Sequence, residues 1–382
     1  MRVGAFLDYR FRRAGGEITT ERAFALFVFA LARRLSGLTI IGRLDPGDEP
    51  YPYRAPAEVR LAPLPYYASL TRPWSAARAL LAGSVRVWRM LDDLDVVWVL
   101  GPNPQAIVVA VLGRLRGRRV VLGVRQDTRA YVHIRHPGRR GMALSAAALD
   151  RAFHRLARRC PVVVVGAQIA AAYPQAPALH EMVVSLVSEA DIVEDRPPRP
   201  GHVLGRIISV GRLDTEKNPL LMADVLARLV ATEPERPWHL DVYGDGPEAP
   251  ALTARLAELD LAQRATLHGY VAAGEGLSDA YREADVLLHV SWTEGVPQVL
   301  LEAFAARLPV VATAVGGVAA LAGDAAVLVG PGDAGAAAAA VRAVVGDDAL
   351  RERLLAAGTA VAHERTLERE VARLAAFLQA PA

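Results

Sequence analysis

The sequence predicts an α/β protein: two Rossmann-like, doubly wound domains facing a cleft. Three observations predict it. Apolar runs of strand length alternate with helix-period segments almost throughout the chain, as in buried parallel sheets. The stretch Glu194-Asp-Arg-Pro-Pro-Arg-Pro-Gly201 packs three prolines and a glycine together and reads as a linker. The charge balance also reverses there. Residues 1–200 hold 29 arginines and 17 acids, a net of +12, whereas the remainder holds 15 basic residues and 24 acids, a net of −9. The expected division is 1–197, 198–364, and a C-terminal helix over 365–382 that can return to the N-terminal domain.

In the first half, Val3–Leu7, Leu38–Ile41, Val96–Leu100, Val120–Val124 and Val162–Val165 are continuous apolar runs too short for helices. Helix-period segments separate them, notably Thr19–Leu35, Pro104–Arg116 and Ser145–Arg158. The second half repeats the scheme. Its expected strands are Ile207–Val210, His239–Tyr243, Thr266–His268, Val286–Val290, Val310–Thr313 and Ala326–Val329. Its expected helices are Pro219–Ala231, Pro250–Leu259, Gly276–Glu283 and Val299–Ala306. The alanine-rich tail reads as three helices, over 334–345, 348–357 and 364–379, because alanine is the best helix former. In such sheets ligands sit at the carboxyl ends of the strands.

Several chemistries are excluded. A single cysteine, Cys160, cannot build a disulfide framework or a multi-cysteine metal site. No apolar run reaches the ~18 residues of a membrane span, and the first residues lack a signal-peptide pattern. Of 44 basic residues 43 are arginine, and the one lysine, Lys217, is not in a phosphate-loop motif. Gly244-Asp-Gly246 is only part of a dinucleotide fingerprint, and the nine histidines show no His-Glu-x-x-His spacing. Asp93-Leu-Asp95 precedes its strand, so it reads as a solvated turn rather than a metal site. Ser84, Ser145 and Ser185 lack the glycines of a nucleophile elbow.

The informative segment runs from Ser291 through Glu294-Gly295-Val296-Pro297-Gln298-Val299 to Glu302. A buried strand ends, a glycine-proline turn follows, and a helix opens whose free N–H groups suit an anion. Glu294 and Glu302 can reach one ligand from two levels. As an isolated pair they also read as a loop carboxylate and a helix-dipole partner. A second loop, Val210-Gly211-Arg212-Leu-Asp-Thr-Glu-Lys217-Asn-Pro219, presents a guanidinium fork and a point charge at a strand's carboxyl end. That pair suits a diphosphate, or forms surface ion pairs with Asp214 or Glu216. Tyr243-Gly244-Asp-Gly-Pro247, His268-Gly-Tyr270-Val271 and Gly316-Gly317 add glycine turns after strands, fit to floor a nucleobase pocket or simply to turn the chain.

These stretches, in this order over residues 205–330, resemble the family-4 retaining glycosyltransferases of the GT-B fold. The resemblance implies a metal-independent transferase that takes a nucleotide-diphosphate sugar, keeps the anomeric configuration and needs no cofactor beyond that donor. UDP is favoured as the commoner donor base, with GDP the alternative. Arg212 and Lys217 would bind the diphosphate beside Gly211 and Gly244, with Tyr270 near the base. Glu302 would bind the ribose. Glu294, with the amides of Gly295, Val296, Gln298 and Val299 around Pro297, would hold the sugar. Gly15-Gly16 looks like the family's glycine loop near the donor phosphate. Arg125-Gln126-Asp127 stands where many members carry a His-Asp-like pair, which makes Asp127 a candidate helper, and Val187-Ser-Glu-Ala-Asp191 replaces the usual Asn-Gly-Val-Asp.

The rival readings are a nucleotide-sugar epimerase and a non-catalytic sugar- or nucleotide-binding module. The expected partners are the donor and a glycan, lipid-linked or small-molecule acceptor, with no nucleic acid. The arginine clusters Arg10–Arg13, Arg114–Arg119 and Arg135–Arg140 suggest an anionic acceptor or an acidic membrane surface, or else solvated faces. The segment from Arg72-Pro-Trp74 to Trp88-Arg89 interleaves arginine with tryptophan as interfacial helices do. The expected location is the cytoplasm, free or peripheral on the membrane's inner face.

Overall fold

A computed structural model describes residues 1–67, 73–125, 129, 132, 138–196, 203–271 and 276–381. The chain divides into two compact units, Met1–Val184 with Glu368–Ala382, and Ser185–Leu367. Each is built on its own sheet.

The first unit holds β1 (Arg2–Ala14), β2 (Glu17–Thr20), β3 (Gly37–Leu44), β4 (Tyr53–Arg54), β5 (Val59–Leu64), β6 (Val96–Gly101), β7 (Arg119–Val124), β8 (Val162–Val165) and β9 (Leu179–Met182). Strands β5-β3-β1-β6-β7-β8-β9 run parallel, while β2 pairs antiparallel with β1 and β4 pairs antiparallel with β2. The central strands are fully buried because helices cover both faces, which is why they read as unbroken Val/Leu runs.

One expectation fails here. Thr19–Leu35 is not one helix. β1 runs on past Leu7 into a hairpin, Gly15 and Gly16 form its two-residue turn with φ of +58° and +85°, and Thr19 and Thr20 lie in β2. The helix is only Phe24–Ala30, followed by a tighter turn to Arg34. The apolar pattern carried both halves, and the Gly-Gly pair was a hairpin signal. Four short strands, β2, β4, β5 and β9, escaped the reading. β5 lies at the sheet edge, where its Pro63 costs no ladder bond.

The last helix, Leu367–Gln379, packs on the first unit. Glu370 accepts from the Val183 amide at 3.2 Å, Arg119 donates to the Phe377 carbonyl at 3.2 Å, and the His180 and Phe377 rings stack. The Asp93–Asp95 segment is a turn: the Asp95 carboxylate accepts from the Arg2 amide at 2.7 Å.

The second unit's sheet has the order β12-β11-β10-β13-β14-β15, all parallel. Its strands are β10 (Arg206–Val210), β11 (His239–Tyr243), β12 (Ala265–Gly269), β13 (Val286–His289), β14 (Val310–Thr313) and β15 (Ala326–Val329). The chain winds outward from β10 to β12, then returns to lay β13 on β10's other side. The carboxyl ends of β10 and β13 therefore flank a topological switch point, where the loops diverge and leave a crevice. The core beneath joins these strands to the helices Pro219–Thr232 and Ala334–Gly346 through Val225, Leu229, Val341 and Trp238.

Candidate functional site

Two loops meet at the switch point. After β10 the chain turns through Gly211 into a tight turn, Thr215–Lys217. Asn218 then takes a left-handed conformation, φ +51°, and Pro219 opens the next helix. Asparagine tolerates that conformation, and proline at the first helical position needs no N–H. After β13 the chain runs through Ser291 and Glu294 to the helix Gln298–Ala305. The Trp292 amide donates to the Glu216 carbonyl at 2.8 Å, so the loops are tied through the backbone.

Glycine is required where a third loop arrives. Gly316 has φ +55°, and a Cβ there would lie 1.8 Å from the Glu294 carbonyl oxygen. The Gly317 amide donates to the Gly295 carbonyl at 2.8 Å. The Gly-Gly pair thus lets the loop after β14 buttress the Glu294 loop by backbone alone. Gly244, after β11, makes a like approach to the Gly211 carbonyl.

Glu294 is the centre of the cluster. Its Oε1 accepts from Lys217 Nζ at 2.5 Å, Ser291 Oγ at 2.6 Å and His289 Nε2 at 2.8 Å. No described residue bonds its Oε2. Burial alone would push this carboxyl up, but the hydrogen bond from His289 and the charge of Lys217 override it and hold the carboxyl at about 2. Lys217 spends one of its three N–H donors on Glu294.

Glu302 lies one turn inside the helix Gln298–Ala305. Its Oε2 accepts from the buried Tyr281 hydroxyl at 2.7 Å, and no described residue bonds its Oε1. Burial raises its pKa, against the opposing effect of the tyrosine bond. Both carboxylates are therefore anchored by one oxygen and offer the other. No side chain caps the helix start at Pro297, and Gln298 and Val299 precede the first intrahelical donor, Leu300.

Arg212 is more exposed and pairs with Asp214 and with Glu216, the latter at 2.5 Å. Both cations of the cluster are thus held by acids. Tyr270 follows β12 and is 62% exposed, while Tyr243 at the end of β11 stacks on His268 at 4.2 Å. Gly15 and Gly16 belong to the first unit's hairpin, and Asp127 lies outside the described residues. Sequence reasoning missed His289, Ser291 and Tyr281 as partners. The signal for the first was a histidine closing the apolar run Val286–Leu288; Tyr281, in an ordinary amphipathic helix, gave none. No group of three or more His, Cys, Asp or Glu among the described residues could hold a metal ion.

Residues 205–347 match the family model for group 1 glycosyl transferases. The chain resembles this family. The D-inositol 3-phosphate glycosyltransferase of Geodermatophilus obscurus is 37% identical over 180 residues, 44% of this chain and 39% of the relative. The chain thus spans about two fifths of that relative's length. Sucrose-phosphate synthase from Thermosynechococcus elongatus has a solved structure that covers 99% of this chain, and 98% of its own, at a TM-score of 0.74 and 16% identity. Anabaena HepE in complex with UDP covers 99% of both chains at 0.70 and 16% identity. The fold is GT-B.

Proposed function

We propose that the chain is a retaining glycosyltransferase that moves a sugar from a nucleotide-diphosphate sugar, preferably a UDP-sugar, to an acceptor hydroxyl without a metal. The observation that carries the reading is the pairing of two half-anchored carboxylates with two cations at the switch point of the second sheet. Lys217, with two N–H donors to spare, can hold a phosphate oxygen while it keeps Glu294. Arg212, exposed, can exchange Asp214 and Glu216 for the diphosphate. The free Oε2 of Glu294 suits a donor-sugar hydroxyl, and the free Oε1 of Glu302 suits the ribose. As the bond to the sugar breaks, charge builds on the diphosphate, and preorganised donors there are worth ~10²–10³ in rate each. The family match over the same residues and the UDP complex of a structural neighbour support this reading. Release of the nucleoside diphosphate, UDP or GDP, from a panel of UDP- and GDP-sugars, with and without glycan acceptors, tests it, and NMR of the product's anomeric centre tests retention. No release from any donor would reject the transferase reading. Release that never depends on an acceptor would favour hydrolysis or epimerisation.

The acceptor side, in this reading, works at the cytoplasmic face of an anionic membrane. No described helix is long and apolar enough to cross one. Three neighbouring helices of the first unit, Pro73–Met90, Pro104–Leu115 and Arg140–Ala157, expose Leu81, Val85, Leu115 and Leu144 among arginines, and hold a single acid, Asp150. Trp88 does not supply this surface, since it lies under the Arg116 guanidinium at 4.0 Å; Arg72 and the Trp74 side chain are outside the described residues.

A further inference from the structure

The carboxyl edge of the first unit's parallel sheet carries a row of arginines, and most of them are matched by acids. Arg43, on β3, closes on Asp8 of β1 at 2.8 Å, and the Tyr67 hydroxyl donates to the same carboxylate at 3.0 Å. Arg10 pairs with Glu21, and Arg12 with Asp45 at 3.4 Å. Arg22 shares Glu21 at 3.8 Å.

Arg125, the first residue after β7, breaks this pattern. Its guanidinium carbon stands 3.7 Å from the centroid of the Phe24 ring. Its Nη1 donates to the Tyr9 hydroxyl oxygen. Its Nε is buried with no acceptor, and no described carboxylate lies within ion-pair distance of it. Besides Tyr9, the charge that acts on it is that of Arg22, of the same sign. Burial therefore pulls its pKa down, yet an arginine stays charged at any pH of interest.

Tyr9 completes the arrangement. Its oxygen is used as an acceptor by Arg125, so its own proton is left to donate. Burial raises its pKa, which keeps that proton in place. The pair presents donors only, in a half-buried setting where an unmatched cation is costly. A neutral hydroxyl would satisfy one donor but not the charge. An oxyanion satisfies both, and the planar fork of a guanidinium matches phosphate and carboxylate geometry.

We infer that Arg125 and Tyr9 form an oxyanion subsite on the N-terminal unit, which takes a phosphate or carboxylate group of the molecule to be glycosylated. Calling that molecule the acceptor rests on the transferase reading; the subsite itself rests on Arg125, Tyr9 and Phe24.

Calorimetric titration of the full chain tests it, with saturating UDP present to occupy the diphosphate loop. The probes are inorganic phosphate, glucose 6-phosphate and glucuronate, with glucose as the neutral control. Saturable binding of an oxyanion probe is expected, with glucose silent; the phosphate and glucuronate arms tell which anion is preferred. Arg125→Gln should weaken that binding at least tenfold, since a charge-assisted hydrogen bond is lost. Tyr9→Phe, which keeps the ring on Phe24, should weaken it several-fold, and Arg125→Lys should restore part of it. UDP affinity should stay unchanged in all three. Absence of saturable oxyanion binding would overturn the subsite, as would binding that survives Arg125→Gln but disappears in Lys217→Ala. Failure of UDP itself to bind would count against the transferase reading and leave the phosphate titration, run without UDP in the Lys217→Ala background, to decide the subsite.

Discussion

Lys217 Nζ lies 2.5 Å from Glu294 Oε1 and so joins the loop after β10 to the loop after β13 across the switch point. The lysine side chain is 20% exposed and the carboxylate 7%. Removal of one partner from so buried a pair strands the other. Lys217→Ala should therefore destabilise the chain by about 3–5 kcal/mol, because Glu294 keeps only His289 and Ser291. Lys217→Ala with Glu294→Gln should recover most of that stability in urea unfolding but none of the turnover. A loss below about 1 kcal/mol in the single variant would mean that Lys217 does not hold the carboxylate in solution.

The same cluster sets a pH window. The Glu294 carboxyl sits at about 2 in the fold, below its ordinary 4.5. A depressed folded pKa means that the unfolded chain binds the proton first. The stabilisation is full above pH 4.5 and is lost as pH falls towards 2, on the order of 3 kcal/mol in all. Other carboxylates titrate in that range, so the informative quantity is wild type minus Glu294→Gln. That difference should shrink between pH 4.5 and 2 and stay flat from pH 5 to 8.

Glu302 behaves in the opposite sense. Its folded pKa is raised by burial, so the native state holds the proton longer than the unfolded chain does. Stability then falls as pH rises through the interval between the ordinary value and the raised one. Glu302→Gln removes the buried charge and should raise the melting temperature at pH 7. It should also lower donor affinity ~10–100-fold, as a charged hydrogen bond is worth ~1.5–3 kcal/mol. A stabilised variant with unchanged UDP affinity would take Glu302 out of the site.

Gly316→Ala should act on the site without touching its side chains. Its Cβ would meet the Glu294 carbonyl oxygen at 1.8 Å, and the backbone there is left-handed. The Glu294 loop must move to accept it. We expect a loss of a few kcal/mol in stability and a larger proportional loss of turnover than of UDP affinity. Gly330→Ala, with open space around it and no left-handed backbone, is the control.

The second unit was legible because each of its strands ends in a turn that needs glycine or proline. Gly211, Gly244, Gly316 and Pro219 mark real backbone constraints, and the apolar runs between them have no second reading. The first unit was less so. Thr19–Thr20 continues the apolar pattern of the helix that follows, and only tertiary pairing with β1 and β4 makes it a strand. β4 is only two residues long, and β5 is interrupted by Arg60 and Pro63, so neither stands out as an apolar run. In the site, Glu294 and Glu302 could be picked by spacing from a helix start. Their anchors could not: His289 and Tyr281 reach them only through the fold. Arg212's ion pairs with Asp214 and Glu216 were the plain alternative in the sequence, and the structure has them.

The proposed membrane association rests on charge and exposure together. Leu81 and Val85, four residues apart on one helix, are 72% and 53% exposed, and Leu144 on a neighbouring helix is 71% exposed. Arg78, Arg86, Arg89, Arg140 and Arg151 stand exposed on the same helices. Parts of the sequence's basic clusters are spent elsewhere: Arg10 and Arg116 pair with Glu21 and Asp92. The exposed set still suits an anionic surface, at roughly 1 kcal/mol per basic residue near it. The full chain should pellet with vesicles that contain anionic lipid at low salt, and lose that binding as the Debye length shortens from ~10 Å at 0.1 M salt to ~3 Å at 1 M. Leu81→Ser with Val85→Ser should weaken pelleting at every salt concentration, since apolar burial is not screened, and leave UDP affinity unchanged. Equal pelleting with neutral vesicles would assign the contact to the leucines alone. No pelleting with anionic vesicles at low salt would leave a soluble acceptor.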